Sequence, residues 1–431
     1  MLDHKFIVDN PDLVKQNNAN RGVTADVDRL IALEEKRRVQ LAETQELNRQ
    51  ANEVSKSIGK AKDAEQREAR KEEGRRLREQ KDAAQKEHDE LDAQILAILA
   101  LIPNLSHPAA PIGKDDKANL ELGRGKCRPK TFDFKPLDHV ELGEKLDLFD
   151  FEAGARVAGH GFYYLKNDAA LLELALTQFA VNRLVAAGFT PMITPDLARD
   201  EVLQGAGFIP RGPETQIYSV ADTDLSLIAT AEITLGGLLA GQTLDADELP
   251  LKFCGVSHCY RTEAGAHGKA TRGLFRVHQF TKIEMFAFTT PEQSEAMHEE
   301  LLRLECELFD ELEIPYRVVD TATGDLGGPA YRKFDLEAWM PGRGEGGEFG
   351  EVTSTSNCTD YQARRLNIRF KKKGEKGSQF VHTLNGTAIA ISRGLIALLE
   401  NHQRADGGID VPAALQPLLG KTELAASPGT R

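Results

Sequence analysis

The stretch YRTEAGAHGKATRGLFRVHQF, from Tyr260, sets Arg261 two residues from Glu263 and Arg276 four residues before Phe280. Two β-like runs joined by a Gly-, Lys- and His-containing loop suggest a hairpin. Period-two alternation then places each pair on one sheet face. Guanidinium forks suit phosphate or carboxylate oxygens, and an aromatic ring suits a stacked base. Lys269 and Arg272 fall on the connecting loop, where they could close over phosphates. Spacing alone is equally consistent with a surface hairpin laced by ion pairs.

Three further stretches carry polar chemistry. Thr230-Ala231-Glu232 offers a hydroxyl and a carboxylate two apart, although the same residues read as a helix N-cap. Glu351-Val352-Thr353-Ser354 follows the glycine-rich GRGEGGEFG, and alternation puts Glu351 and Thr353 on one face. A carboxylate beside a hydroxyl can hold Mg²⁺, which takes few protein ligands and keeps its waters. In LNGTAIAISRGLIALLEN, the small residues Gly386, Ala388 and Ala390 could let a flat ligand lie on the backbone. Arg393 stands at the expected strand-to-helix junction, with Gly394 opening the helix. A buried turn with a surface arginine fits that stretch as well.

Other chemistries find no pattern. The five cysteines are scattered, odd in number and without a C-x-x-C pair, so neither a disulfide framework nor a cysteine-based zinc site is expected. His258, His267, His278 and His298 lack ligand spacing. No G-x-G-x-x-G follows a strand and no G-x-x-x-x-G-K-[ST] occurs, which excludes Rossmann and P-loop readings.

The elements that must position these residues fall into two textures. From Arg29 to Ile102 the chain is rich in Glu, Lys, Arg, Gln, Ala and Leu. Two heptad-like seams run through it: Leu30, Leu33, Leu47, Ala51, Val54 and Ile58, then Leu77, Ala84, Leu91, Ile95, Ile98 and Ile102. Between them IGKAKDAEQREARKEE has no apolar stripe. The reading is an antiparallel helical hairpin over about residues 29–102 with a solvated basic tip, within an N-terminal domain of residues 1–110. A dimerising coiled coil fits the same pattern. The chain carries a net charge of −13, yet Arg49–Lys81 holds eleven Lys/Arg against seven acids. A local basic element on an acidic body suits a nucleic acid gripped at one place.

Asn10-Pro11 reads as the start of a short helix, with Asn10 as its cap. Pro103, Pro108 and Pro111 end the arm. Beyond Asp138, an apolar helix over Ala169–Ala187 is followed by β-like runs at Leu251–Tyr260, Phe275–Phe288, Arg317–Asp320, Phe334–Trp339 and Thr383–Ile391. Hairpin-like returns outnumber β-α-β alternation, so residues 111–431 read as an α+β domain on an antiparallel sheet. The longest apolar run near the N-terminal third, Leu96–Ile102, is too short to span a bilayer, and MLDHKFIVDNPD has no signal-peptide core. The expected location is the cytoplasm, with no membrane partner.

The order of these pieces resembles motifs 1, 2 and 3 of the class II aminoacyl-tRNA synthetases. Gly188, Phe189 and Pro195 stand for motif 1 (188–195), Y-R-x-E…R-x-x-x-F for motif 2 (260–284), and the small-residue strand ending in Arg393 for motif 3 (384–400). Within that class the chain is similar to the seryl-tRNA synthetase family. The likeness rests on TAE at Thr230, RTEAGAHGKATRGLFRVHQFTKIE at Arg261, TGDLG at Thr323, QARR at Gln362, TLNGT, LLENHQ and IPNLSHP, and covers essentially the whole chain.

The resemblance implies ATP, L-serine and tRNA(Ser) as substrates, tRNA(Sec) as a second RNA substrate, Mg²⁺ with ATP but no zinc, and a homodimer with Pro195 at its interface. By position it implies that Arg261 touches the ATP α-phosphate and the amino-acid carboxylate. Glu263 would read the adenine side, and Phe280 and Arg393 would stack on the adenine. Thr262, Arg276, Val277, Val352 and Thr353 would complete the ATP site, and Glu351 and Ser354 would hold ATP and metal. Thr230, Ala231, Glu232, Glu284, Asn385 and Thr387, with Arg261, would form the serine pocket. Arg261 and Arg393 are the implied catalytic pair. The hairpin resembles the arm that grips the long variable arm of serine tRNA. Motif 3 departs from the class pattern, with Ala388, Ala390 and Ser392 where further glycines are usual.

Two alternatives remain at this level. A carrier-protein ligase of the same fold would lack the arm at Arg29–Ile102. A non-catalytic tRNA-binding relative would be expected to lose motif arginines, and Arg261, Arg276 and Arg393 are all present.

Overall fold

A computed structural model describes residues 1–208, 216–263 and 272–425. The chain divides into two compact units, Met1–Leu105 and Ser106–Arg431.

In the first unit, helices α1 (Val27–Ile58) and α2 (Ala64–Leu101) run antiparallel around a turn at residues 59–63. Asp26 and Asp63 cap them, each accepting from a backbone N–H three residues on. At about 1.5 Å per residue each helix is roughly 50 Å long. The seam is buried where apolar periodicity placed it, at Leu30, Leu33, Leu77, Ala84, Leu91 and Ile95. Its polar interruptions are also buried. Gln40 donates to the Ala84 carbonyl at 3.4 Å, and Thr44 donates to the Gln40 carbonyl at 2.9 Å. Arg37 bridges Glu34 at 2.9 Å and Asp92 at 3.0 Å, tying the helices together. The hairpin base closes over a small core with Ile7, Val14, Ile95 and Leu99. Asn10 departs from its expected role: it precedes the helix Pro11–Asn20, but its side chain turns back to the Phe6 carbonyl at 3.0 Å and makes no cap bond.

The second unit is built on an eight-stranded sheet: β1 (Leu120–Arg124), β2 (Thr190–Ile193), β3 (Leu251–Tyr260), β4 (Gln279–Thr289), β5 (Tyr316–Asp320), β6 (Arg332–Met340), β7 (Glu348–Asn357) and β8 (His382–Ala390). The spatial order is β1-β5-β6-β7-β8-β4-β3-β2, antiparallel except where the short edge strand β2 runs parallel to β3. This is the expected α+β class. Helices α3 (Asn167–Ala186), α5 (Ser294–Glu311) and α7 (Ile391–His402) put Leu172, Leu176, Leu301, Leu308, Leu395 and Leu398 into one core with sheet residues such as Ile283, Met285, Leu384 and Ile389. Among the described residues, α3 alone is long and apolar enough to cross a membrane. Its apolar residues Leu172, Leu176, Phe179 and Leu184 are in that core.

Three expectations are corrected here. The first concerns the motif 2 hairpin. Strand β3 stops at Tyr260 and β4 begins at Gln279, so Arg261, Glu263 and Arg276 lie outside the strands. Glu263 has φ of 49°, in the left-handed region, so strand alternation does not explain the grouping. The second concerns motif 3. Helix α7 begins at Ile391, so Arg393 sits in its first turn instead of at the junction. The third concerns Gly386. A Cβ there would come within 2.9 Å of Glu305 Oε1 and 3.1 Å of Thr355 Oγ1, so the missing side chain makes room for the core and not for a ligand. Ala388 likewise belongs to the core.

Candidate active site

In β4, Ile283 and Met285 enter the core, while Lys282 and Glu284 line a cavity. In β8, Leu384 and Ala388 enter the core, while Asn385 and Thr387 line the same cavity. It encloses about 730 Å³ of space, including its open mouth. Period-two alternation in paired antiparallel strands thus sets acid, base, amide and hydroxyl on one wall. The pairing puts Thr387 opposite Glu284. Lys282 forms a close ion pair with Glu284, and Thr387 Oγ1 lies 3.4 Å from both Lys282 Nζ and Glu284 Oε2. All three side chains are buried.

Helix α4 (Ala231–Gly237) supplies the floor. Thr230 is its N-cap, accepting from the Glu232 N–H at 3.1 Å, and it also lines the cavity. The capping and functional readings of this stretch therefore coexist, since the cap fixes the helix start that aims Glu232. Glu232 Oε1 accepts from Asn385 Nδ2 at 2.9 Å and from Gln362 Nε2 at 2.7 Å. Burial pushes the Glu232 carboxyl up to about 7, with Glu284 adding to the rise and Lys282, Gln362 and Arg261 opposing it.

Arg261 and Arg393, from distant parts of the chain, both line this cavity. Arg261 Nε lies 3.4 Å from the Ala229 carbonyl, and its guanidinium is 5.3 Å from the Phe280 ring centre. Arg393 donates to the Glu351 carbonyl at 2.9 Å, lies 3.3 Å from the Glu351 carboxylate, and sits 4.7 Å above the Phe275 ring. Burial raises the Glu351 carboxyl, but Arg393, Lys333 and Arg261 together outweigh it and hold the group below its ordinary value. Arg276 pairs with Glu263 at 3.0 Å.

A bulge in the β6–β7 pairing changes the expected alternation. Leu336 pairs with Thr353 and Glu337 with Glu351, so Val352 is extra. Glu351, Val352, Thr353 and Ser354 all line the cavity, and the Thr353 hydroxyl donates at 2.9 Å to Glu305, a buried carboxyl on α5. Burial holds Glu305 well above the usual carboxylate range.

Among the sequence-derived candidates, Thr230, Glu232, Arg261, Glu263, Arg276, Val277, Phe280, Glu284, Glu351, Val352, Thr353, Ser354, Asn385, Thr387 and Arg393 are thus brought together. Ala231 is not on the wall; it is fully buried in a second core with Phe286 and Leu366. Thr262 is also off the wall, and its N–H donates to the Gln216 carbonyl at 3.0 Å. Lys269 lies outside the described residues. Arg272 pairs with Asp138 at 2.7 Å. Sequence reasoning gave no site role to Lys282, Phe275 or Gln362, although QARR at Gln362 carried part of the family likeness. The alternation of Lys282 with Glu284 along β4 carried a local signal for the first of them.

The sheet that carries this cavity on its central strands belongs to a class II synthetase core, as the following likenesses establish. Residues 218–402 match the sequence model of the tRNA synthetase class II core domain (G, H, P, S and T), and residues 1–106 match that of the seryl-tRNA synthetase N-terminal domain. The chain is 64% identical to a serine–tRNA ligase of Rhodopirellula baltica over 97% of its own length and 98% of the relative's. It is 54% identical to that of Rubrobacter xylanophilus over 98% of each. Its fold superposes on the seryl-tRNA synthetase of Pyrococcus horikoshii, solved with ATP, with a TM-score of 0.90 and 42% identity over 99% of this chain and 100% of that one. For the Naegleria fowleri cytoplasmic serine–tRNA ligase, solved with AMP, the values are 0.83, 33%, 97% and 96%. The chain belongs to the seryl-tRNA synthetase family.

Proposed function

We infer that this chain activates L-serine with ATP and transfers the seryl group to tRNA(Ser). The observation that carries this reading is one cavity lined by both Arg261 and Arg393 and by the acids Glu232, partly buried, and Glu284, buried. In the first step the serine carboxylate attacks the ATP α-phosphorus, the bond to the β-phosphate oxygen breaks, and seryl-adenylate and pyrophosphate form. A carboxylate is ionised at neutral pH, so this step needs no strong general base. In the second step the 3′-hydroxyl of the terminal adenosine attacks the seryl carbonyl and AMP leaves.

Arg261 binds the α-phosphate and the serine carboxylate, placing nucleophile and electrophile together and stabilising charge as it develops. Phe280 and Arg393 hold the adenine between them, and Glu263 reads its edge. Glu351 and Ser354 share one side of β7 and fit Mg²⁺, an ion that takes one or two protein oxygens beside phosphates. When bound, Mg²⁺ would neutralise phosphate charge.

Glu232 receives the serine ammonium, and Glu284 with Thr387 receives its hydroxyl. Alanine leaves those buried groups unpaired, whereas threonine meets only the weaker filter of an extra methyl. Amino-acid-dependent ATP–pyrophosphate exchange tests this. The wild type is expected to favour serine over alanine by about 10⁴. Thr387→Val should cut that ratio at least about tenfold with the KM for ATP little changed. An unchanged ratio would remove Thr387 from the pocket.

The proposal extends to a homodimer, to tRNA(Sec) as a second RNA substrate, and to a cytoplasmic location. Support for the dimer comes from Ile193 on edge strand β2, 90% exposed and two residues before the motif 1 proline Pro195, and from Leu174 on α3, 68% exposed. The helical arm supports tRNA over a carrier protein as the acceptor.

A further inference from the structure

Gln362, on the short helix α6 (Tyr361–Leu366), is 1% exposed and uses its whole amide. Its Nε2 donates to the Ala206 carbonyl at 2.9 Å and to Glu232 Oε1 at 2.7 Å, and its Oε1 accepts from Thr383 Oγ1 at 2.7 Å. A backbone carbonyl only accepts, so the amide nitrogen must face Ala206 and Glu232, and the orientation is determined. Asn385 Nδ2 lands on the same Glu232 oxygen. Two amide donors therefore occupy Glu232 Oε1, and among the described residues no donor reaches Oε2.

We propose that Gln362 is a positioning residue for serine recognition: it anchors Glu232 Oε1 so that Oε2 is presented to the substrate's ammonium group. This rests on the reading that Glu232 receives the ammonium. Gln362 is one layer behind the cavity wall and does not touch substrate. It reports to Thr383 on β8 and to the end of the helix Asp200–Ala206, so three elements fix one carboxylate.

The arrangement has a pH signature. Glu284 faces Glu232 as a second acid, and Lys282 and Arg261 face it as bases. Against burial and Glu284, the Gln362 hydrogen bond is one of the influences favouring the ionised form. Serine capture should therefore strengthen as pH rises through about 7 in the free enzyme. Losing the donor should move that limb to higher pH.

The test is pyrophosphate exchange with serine and ATP titrated between about pH 5.5 and 9, a range bracketing the Glu232 transition, for the full chain and three variants. Gln362→Glu, nearly isosteric, puts a second carboxyl against Glu232. It should raise the KM for serine at least about tenfold at neutral pH, leave the KM for ATP within about twofold, and shift the acidic limb of kcat/KM for serine upward. Thr383→Val, also isosteric, should shift the same limb in the same direction by less, and it decides the matter if Gln362→Glu does not fold. Unmoved limbs in folded variants, or equal losses for serine and ATP without a pH shift, would overturn the proposal. Glu232→Gln separates the two layers: a wild-type KM for serine there sinks the pocket assignment itself. A large rise there with silent Gln362 and Thr383 variants sinks only the positioning role.

Discussion

Arg261→Ala is expected to abolish serine-dependent ATP–pyrophosphate exchange, with a loss of at least about 10³-fold and a melting temperature close to that of the wild type. Removing a single preorganised charge or hydrogen-bond donor from a developing oxyanion costs about 10²–10³ in rate. Arg261 is assigned two such oxygens, on the α-phosphate and on the serine carboxylate, so its loss also forfeits alignment. The fold should tolerate the change. Arg261 follows the last residue of β3, its side chain reaches a single carbonyl at 3.4 Å, and it lies outside the apolar core. Isotope exchange on folded variant protein checks this, and normal exchange would remove the arginine from its role.

Shortening the helical arm should have the opposite profile. Val54 and Gly74 approach each other across the hairpin, so the segment between them can be replaced by a short Gly-Ser turn without disturbing the seam nearer the base. Pyrophosphate exchange should stay within about twofold, because every residue assigned to activation lies in Ser106–Arg431. Aminoacylation should lose on the order of 10²-fold in kcat/KM for tRNA, and the salt dependence of tRNA binding should flatten. Many cations of the arm are paired along their own helix, as Arg49 is with Glu46 and Glu53 and Lys71 is with Glu68. Lys56, Lys60, Lys62 and Arg67, near the tip, have no ion pair among the described residues and are free to meet phosphate. Unimpaired charging by the shortened protein would deny the arm its role as the tRNA grip.

The arm was legible because a helical seam is a local, periodic property: Leu30, Leu33, Leu91 and Ile95 declare their burial by spacing alone. The sheet class was legible for the same reason, since β3, β5, β6 and β8 are runs of suitable residues. The candidate site was legible mainly through the order of its motifs, and the local geometry inferred for them was partly mistaken. Arg261 and Glu263 converge on the cavity although the strand has already ended, and Glu351 and Ser354 do so through a bulge at Val352 that alternation does not anticipate. Gly386 misled in a different way. Its lack of a side chain answers to Glu305 on a helix about eighty residues earlier, and no pattern within one strand reports that contact. The role of Gln362, as distinct from its place in QARR, was invisible for a related reason. Its partners Ala206, Glu232 and Thr383 are brought to it only by tertiary packing.

The measurement that bears most directly on the account is a structure of the full chain bound to a non-hydrolysable seryl-adenylate analogue. The account predicts the adenine between Phe280 and Arg393, the phosphate-equivalent group on Arg261, the ammonium within hydrogen-bond distance of Glu232 Oε2, and the hydroxyl against Glu284 and Thr387. An adenylate bound with Arg261 and Arg393 turned away from it, or seated outside the cavity they line, would contradict it.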